Sequence, residues 1–217
     1  MAFKVWSDSK SSVPTVYLHS FRGEGEDVWK ACHDISCPPF NLVSIHDINL
    51  DAALTPWPAQ SIRKGQSPFG GKAKIHLEEI INKIMYEVEN QLIYKSSYNI
   101  LAGYSLAGLF ALWGAWQTEK FKCIACVSGS LWYPDFLDYL QNTKLTHHPE
   151  CIYFSLGNKE SRTHHPLMSQ IDDCTEQAYR LINTIGIPTI YESNPGNHFT
   201  DPDKRMAKAI KWILEQQ

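Results

Sequence analysis

The chain has 217 residues, 43% of them hydrophobic and 20% charged, and its 20 Lys and Arg stand against 23 Asp and Glu for a formal net charge of −3. That composition excludes intrinsic disorder and fibrous repeats, and the length suffices for one sizeable core. The near-balanced charge has no Lys/Arg block to serve as a nucleic-acid footprint, and no run reaches the ~18 apolar residues of a membrane span.

Short runs rich in β-branched and aromatic residues predict strands over 3–6, 13–18, 41–46, 97–103, 122–127, 151–156 and 187–192. Most are nearly continuous in apolar character, as strands covered on both faces should be. Helical patterns lie between the later ones. Over 74–92, Leu77, Ile81, Ile84, Val88 and Leu92 recur at spacings of three and four, one stripe facing a core. Further helices are predicted over 106–118, 166–184 and 201–214. The last opens on Thr200-Asp201-Pro202-Asp203, a capping-box-like start, and carries Met206, Ile210, Ile213 and Leu214 on one side.

Strands alternating with helices imply an α/β fold: a mainly parallel sheet with helices on both faces, opened by an antiparallel hairpin over 3–18. The expected organisation is a single domain over 1–217 with no separate cap domain. Residues 47–72, about 26 long with three Pro and three Gly, exceed ordinary loop length and are expected to shape a pocket.

The start of the chain, Met1 to Asp8, has no apolar core of signal-peptide length, so a cytoplasmic location is expected. The cysteines Cys32, Cys37, Cys123, Cys126, Cys151 and Cys174 are then expected as reduced thiols. Cys123 and Cys126 fall in a strand, where a spacing of three puts them on opposite faces and argues against a redox pair.

The chemistry concentrates at Gly103-Tyr104-Ser105-Leu106-Ala107-Gly108, where a predicted strand runs straight into a helix. A nucleophile elbow belongs at such a junction, because a sharp turn between small residues lifts the serine hydroxyl above the sheet. The pattern departs from G-x-S-x-G only in Ala107, a position that needs a small side chain for packing. A serine that merely caps the helix is the alternative. A serine nucleophile needs a base oriented by a carboxylate, each on a loop at the carboxyl end of a strand. Glu160 follows the strand at 151–156, and His198 follows the strand at 187–192, just before the final helix. Asp172 and Asp173 are alternative acids, weakened by falling inside a predicted helix. The oxyanion hole is expected from the Leu106 N–H and a second donor, Ser20 or Phe21, in the turn after the strand at 13–18.

GYSLAGLFALW, SGSLWYPDF (128–136), SLGNKE (155–160) and NPGNHF (194–199), with Trp57-Pro58 and Phe69-Gly70-Gly71, together resemble the α/β-hydrolase serine esterases of the group that holds esterase D and the siderophore (enterochelin) esterases. The resemblance covers the chain from about Val13 to its end. It implies Ser105 as nucleophile, His198 as general base and the Leu106 N–H in the oxyanion hole. It transfers the acid least well, since some members use an Asp and some work with little more than a Ser–His dyad. It also implies ester hydrolysis on a small-molecule ester, which needs no metal or organic cofactor, while the charge balance and hydropathy give no role to nucleic acid or membrane. Trp57, Phe69, Trp132 and Tyr133 are expected to make an aromatic pocket wall.

Thioester hydrolysis on a small acyl thiol and a non-catalytic binding scaffold are the alternative functions. Cys32-His33-Asp34 with Cys37, His147-His148 and His164-His165 lack structural-zinc spacing and are set aside as metal ligands. His164 and His165 follow Glu160 closely enough to be expected at the pocket rim, and Arg162 on the same loop is read as an ordinary surface residue, with attraction of an acidic substrate group as the alternative. The natural ester and the oligomeric state are not set by the sequence.

Overall fold

Seven strands form one sheet in the order β1-β3-β2-β6-β7-β8-β9. They are β1 (Ala2–Trp6), β2 (Thr15–His19), β3 (Asn41–His46), β6 (Asn99–Tyr104), β7 (Cys123–Val127), β8 (Cys151–Gly157) and β9 (Thr189–Asn194). The computed structural model describes residues 1–19, 25–62 and 65–216. All neighbouring pairs run parallel except β1 with β3.

That exception corrects the expected hairpin over 3–18. β1 pairs with β3 in the register Ala2↔His46 to Trp6↔Leu42, while β2 lies between β3 and β6 and is parallel to both. The physical reason is burial. Every residue of β2 is buried, whereas β1 alternates only between half-buried and exposed, so β2 takes the interior of the sheet and β1 its edge.

Helices cover both faces. On one lie α1 (Gly25–Asp34) and α8 (Pro202–Leu214), where Val28, Ala31, Met206, Ile210 and Ile213 pack on Val16, Leu42, Ile100, Ala125 and Tyr153. On the other lie α3 (Ala73–Glu79) with its continuation α4 (Met85–Gln91), α5 (Leu106–Gly114), α6 (Phe136–Asn142) and α7 (Ile171–Ile185), packed on Tyr17, Val43, Leu101, Ile124, Ile152 and Phe154. Each fully buried aliphatic of these layers contributes roughly 1.5–3 kcal/mol. Cys123 belongs to the first layer and Cys126 to the second, so the two do lie on opposite faces. This architecture is an α/β-hydrolase fold, with no separate cap domain among the described residues.

Three details differ from the sequence expectations. A π-helical turn at Ile80–Ile84 joins α3 to α4, and the wide turn moves Ile80 rather than Ile81 into the buried stripe. Asp201 precedes α8 at φ 48 without a side-chain capping bond, its carboxylate lying 3.3 Å from Lys204 instead. The stretch 47–72 carries a short helix α2 (Leu50–Ala53), capped by the Asn49 side chain, and a two-stranded ribbon of β4 (Pro58–Ala59) and β5 (Phe69–Gly70).

Candidate active site

β6 passes into α5 through Ser105, whose φ of 60 and ψ of −123 a non-glycine residue holds at a cost of about 1–3 kcal/mol. Small neighbours permit the turn. A Cβ on Gly103 would lie 2.0 Å from the Ala107 carbonyl oxygen, and one on Gly108 would lie 2.8 Å from Gly129 Cα. Ala107 is itself within α5 and buried, with no positive φ to demand glycine. The Ser105 carbonyl accepts from Leu109 N and Ser130 N, and its N–H donates to Val127 O, so the turn is pinned to the neighbouring strand.

The carboxyl ends of β6, β8 and β9 open on one edge of the sheet, and there Ser105, Glu160 and His198 meet. His198 Nε2 is 3.0 Å from Ser105 Oγ, and His198 Nδ1 is 2.7 Å from Glu160 Oε2. An ionised carboxylate only accepts, so Nδ1 carries the proton and Nε2 is left to accept from the serine hydroxyl. Asp172 instead accepts from Ser161, and Asp173 is exposed on α7, so neither stands beside the imidazole. The turn that holds His198 is built on Gly196 at φ 98, and Tyr104 donates to the His198 carbonyl at 2.8 Å.

Glu160 is almost fully buried, and its other oxygen is fully engaged. Oε1 accepts from Ser128 Oγ at 2.7 Å, Gly157 N at 2.7 Å and Arg205 Nη1 at 2.9 Å. Burial pushes this carboxyl up, but the His198 contact and the donors from Ser128 and Gly157 outweigh it and hold the group below the ordinary glutamate value. Arg205 is as buried as its partner, and its Nη2 donates to Pro195 O and Asn197 O at 2.9 and 3.0 Å. One guanidinium thereby ties Glu160 to the segment that carries His198. The sequence reading missed Arg205, although a readable signal exists: it lies four and eight residues before Ala209 and Ile213, a charge on the buried stripe of α8.

Leu106 heads α5, where the first backbone N–H groups have no acceptor within the helix, and it borders the cavity. Ser20 and Phe21 lie outside the described residues. Ser130, also overlooked in sequence, is buried with its hydroxyl 3.4 Å from Ser105 Oγ.

A cavity of about 1040 Å³ opens over these groups. Phe69 and Trp132 line it, together with Ile48, Leu54 and Ile62 from the stretch 47–72. Trp57 and Tyr133 do not reach it: Trp57 Nε1 donates to Pro134 O, and the Tyr133 hydroxyl donates to Trp57 O, bracing the wall from behind. Arg162, His164 and His165 are likewise absent from the lining, whereas Met168 and the 83% exposed Phe199 stand in it, Phe199 edge-on to His198. His19, at the end of β2, also borders the cavity and shares a 2.8 Å Nε2–Nε2 hydrogen bond with His76 of α3. Burial lowers both imidazoles, His76 to about 4, so the pair is neutral near pH 7. Among the described residues no group of three or more His, Cys, Asp or Glu is arranged to hold a metal ion, and no helix is long and apolar enough to cross a membrane.

No family model matches the chain. It is 22% identical over 220 residues to the uncharacterized protein YbbA of Bacillus subtilis (strain 168), covering 96% of this chain and 88% of that protein. Its fold is similar to that of an IroE-like serine hydrolase from Shewanella oneidensis, at a TM-score of 0.82 and 18% identity over 98% of this chain and 75% of the other. It is similar also to the siderophore hydrolase EstA from Aspergillus nidulans, at a TM-score of 0.77 and 16% identity over 99% and 95% of the two chains. At these identities the likeness establishes the shared α/β-hydrolase fold.

Proposed function

We propose that the protein is a serine hydrolase that cleaves a small-molecule carboxylic ester through an acyl-enzyme on Ser105. The observation that carries this reading is the unbroken hydrogen-bonded series Ser105–His198–Glu160 at the floor of a cavity large enough for a substrate. The names borne by the similar structures, a serine hydrolase and a siderophore hydrolase, support the same reaction class.

In the first half-reaction the Ser105 hydroxyl oxygen attacks the ester carbonyl while His198 Nε2 takes its proton. Glu160 holds the Nδ1–H tautomer and balances the imidazolium that forms. Charge collects on the former carbonyl oxygen, where the Leu106 N–H at the start of α5 is a ready donor. His198 returns the proton to the leaving alcohol. Water then attacks the acyl carbon while giving its proton to the same nitrogen, the bond to Ser105 Oγ breaks, and His198 returns the proton to Ser105 as the acid leaves.

A fluorophosphonate probe tests the reading, because phosphonylation needs an activated hydroxyl. The expected result is one adduct mapped to Ser105 and abolished by Ser105→Ala. Failure of the folded protein to label would favour a non-catalytic scaffold.

A further inference from the structure

The C-terminus of α1 brings two cysteines together outside the lining of the cavity over Ser105. Ser36 takes a left-handed φ of 55, Ser36 N donates to His33 O at 3.0 Å, and Cys37 N donates to Cys32 O at 2.9 Å. This is the Schellman arrangement, with its 6→1 and 5→2 bonds, and it characteristically packs the side chain three from the helix end against the one just past it. Here those side chains are Cys32 and Cys37. The Cys37 thiol donates to Ala207 O on α8 at 3.8 Å, which holds it at this helix end.

Cys32 is fully buried, but Cys37 is the one cysteine of the six that is not. A second cavity, of about 200 Å³, lies against both and is walled by Trp29, His33, Pro38 and Phe40. A small solute can therefore meet Cys37 with Cys32 behind it.

We propose that Cys32 and Cys37 form a reversible dithiol–disulfide pair, a modification site oxidised by small peroxides that enter this second cavity. In the first step the Cys37 sulfur attacks one peroxide oxygen and the O–O bond breaks. The other oxygen leaves with a proton as water or an alcohol, and Cys37 becomes a sulfenic acid. The Cys32 sulfur then attacks Cys37 Sγ, the S–O bond breaks, and the hydroxyl leaves as water with the Cys32 proton. Two thiols lose two electrons, and the peroxide gains them. A small-molecule thiol reverses the change by exchange.

The surroundings assign the roles. Cys37 is half-buried against the second cavity, so it is the thiol a peroxide meets, and the Lys211 ammonium and His33 favour its thiolate while Glu215 opposes it. Cys32 lies fully buried behind it on the same cavity, as suits a resolving thiol. Cys123 and Cys151 face each other across β7 and β8, yet both are buried within the sheet, and burial also raises Cys126 and Cys174.

The test treats the reduced full-length protein with hydrogen peroxide and then counts thiols after denaturation. Six should fall to four, and addition of dithiothreitol should restore six. The tryptic peptide 31–63, which holds both cysteines, should become two hydrogens lighter, and cutting it before Asp34 should leave the pieces joined until reduction. Cys37→Ser should keep its five thiols, and Cys32→Ser should yield a Cys37 sulfenic acid that dimedone traps. A wild-type titre that stays at six, or a loss that maps to Cys123–Cys151 or to cross-linked chains, would overturn the proposal.

Discussion

Arg205 grips Glu160 on the oxygen that His198 leaves free, so the same carboxylate is held from α8 on one side and orients the imidazole on the other. Both side chains of this ion pair are 3% exposed. Removing one partner of a buried pair strands the other, at about 3–5 kcal/mol, or roughly 6–20 °C in Tm for a chain of this size. Arg205→Met should lose that much by thermal unfolding. Below its melting range it should also lose kcat with KM nearly unchanged, because Arg205 acts through Glu160 and the His198 segment rather than on substrate. Arg205→Lys, which keeps the charge but not the fork, should recover part of both.

Glu160→Gln should cut kcat by about 10⁴, the scale expected when the acid of a serine triad becomes an amide and the imidazole takes the wrong tautomer. KM for a p-nitrophenyl ester should hardly move. A kcat within tenfold of wild type would mean that Ser105 and His198 act as a dyad.

The same carboxyl makes stability depend on acid pH. Its folded-state value lies below the ordinary 4.5, so it favours the folded state above about pH 4.5 and that contribution is lost as pH falls through the lower folded value. Tm measured from pH 6 to 3 should drop on this limb, and Glu160→Gln should flatten it.

His76 acts in a neighbouring window with a different sign of origin. Folded His76 titrates at about 4 against 6.5 for a free imidazole, so between those values the unfolded chain binds a proton that the folded chain refuses. Stability should therefore already fall between pH 6.5 and 4. In His76→Leu that part of the Tm profile should flatten, and an unchanged slope would exclude His76 as its cause.

The sequence disclosed what periodicity and local chemistry can carry. The strand–helix alternation, the turn at Ser105 and the two later loops with Glu160 and His198 all follow from short apolar runs punctuated by small or polar residues. What escaped depended on contacts remote in sequence. β1 reads as a hairpin partner of β2 because the two are adjacent, yet its true partner lies some 40 residues on. α1 was missed because few of its residues are apolar, and only α8 and the sheet make its face a core. Arg205 has meaning only beside Glu160, 45 residues away. Trp57 and Tyr133 carry the right chemistry for a pocket wall, and only tertiary packing reveals that they buttress it.

Gly103 offers a test of the turn itself. A Cβ there would meet the Ala107 carbonyl carbon and oxygen at 2.1 and 2.0 Å, backbone atoms that cannot swing aside. Gly103→Ala should destabilise the fold by about 1–3 kcal/mol by overpacking. It should also displace Ser105 from His198, so activity at permissive temperature should fall further than the stability loss explains.

The central claim is that Ser105 is the nucleophile of ester hydrolysis, and the most direct test is turnover of a p-nitrophenyl ester series from acetate to octanoate by wild type and Ser105→Ala, with a matched thioester alongside. Wild type should hydrolyse at least one ester, and Ser105→Ala should retain less than about 10⁻⁵ of that rate, as when a triad serine is removed. Turnover that survives in the folded Ser105→Ala protein would contradict the account.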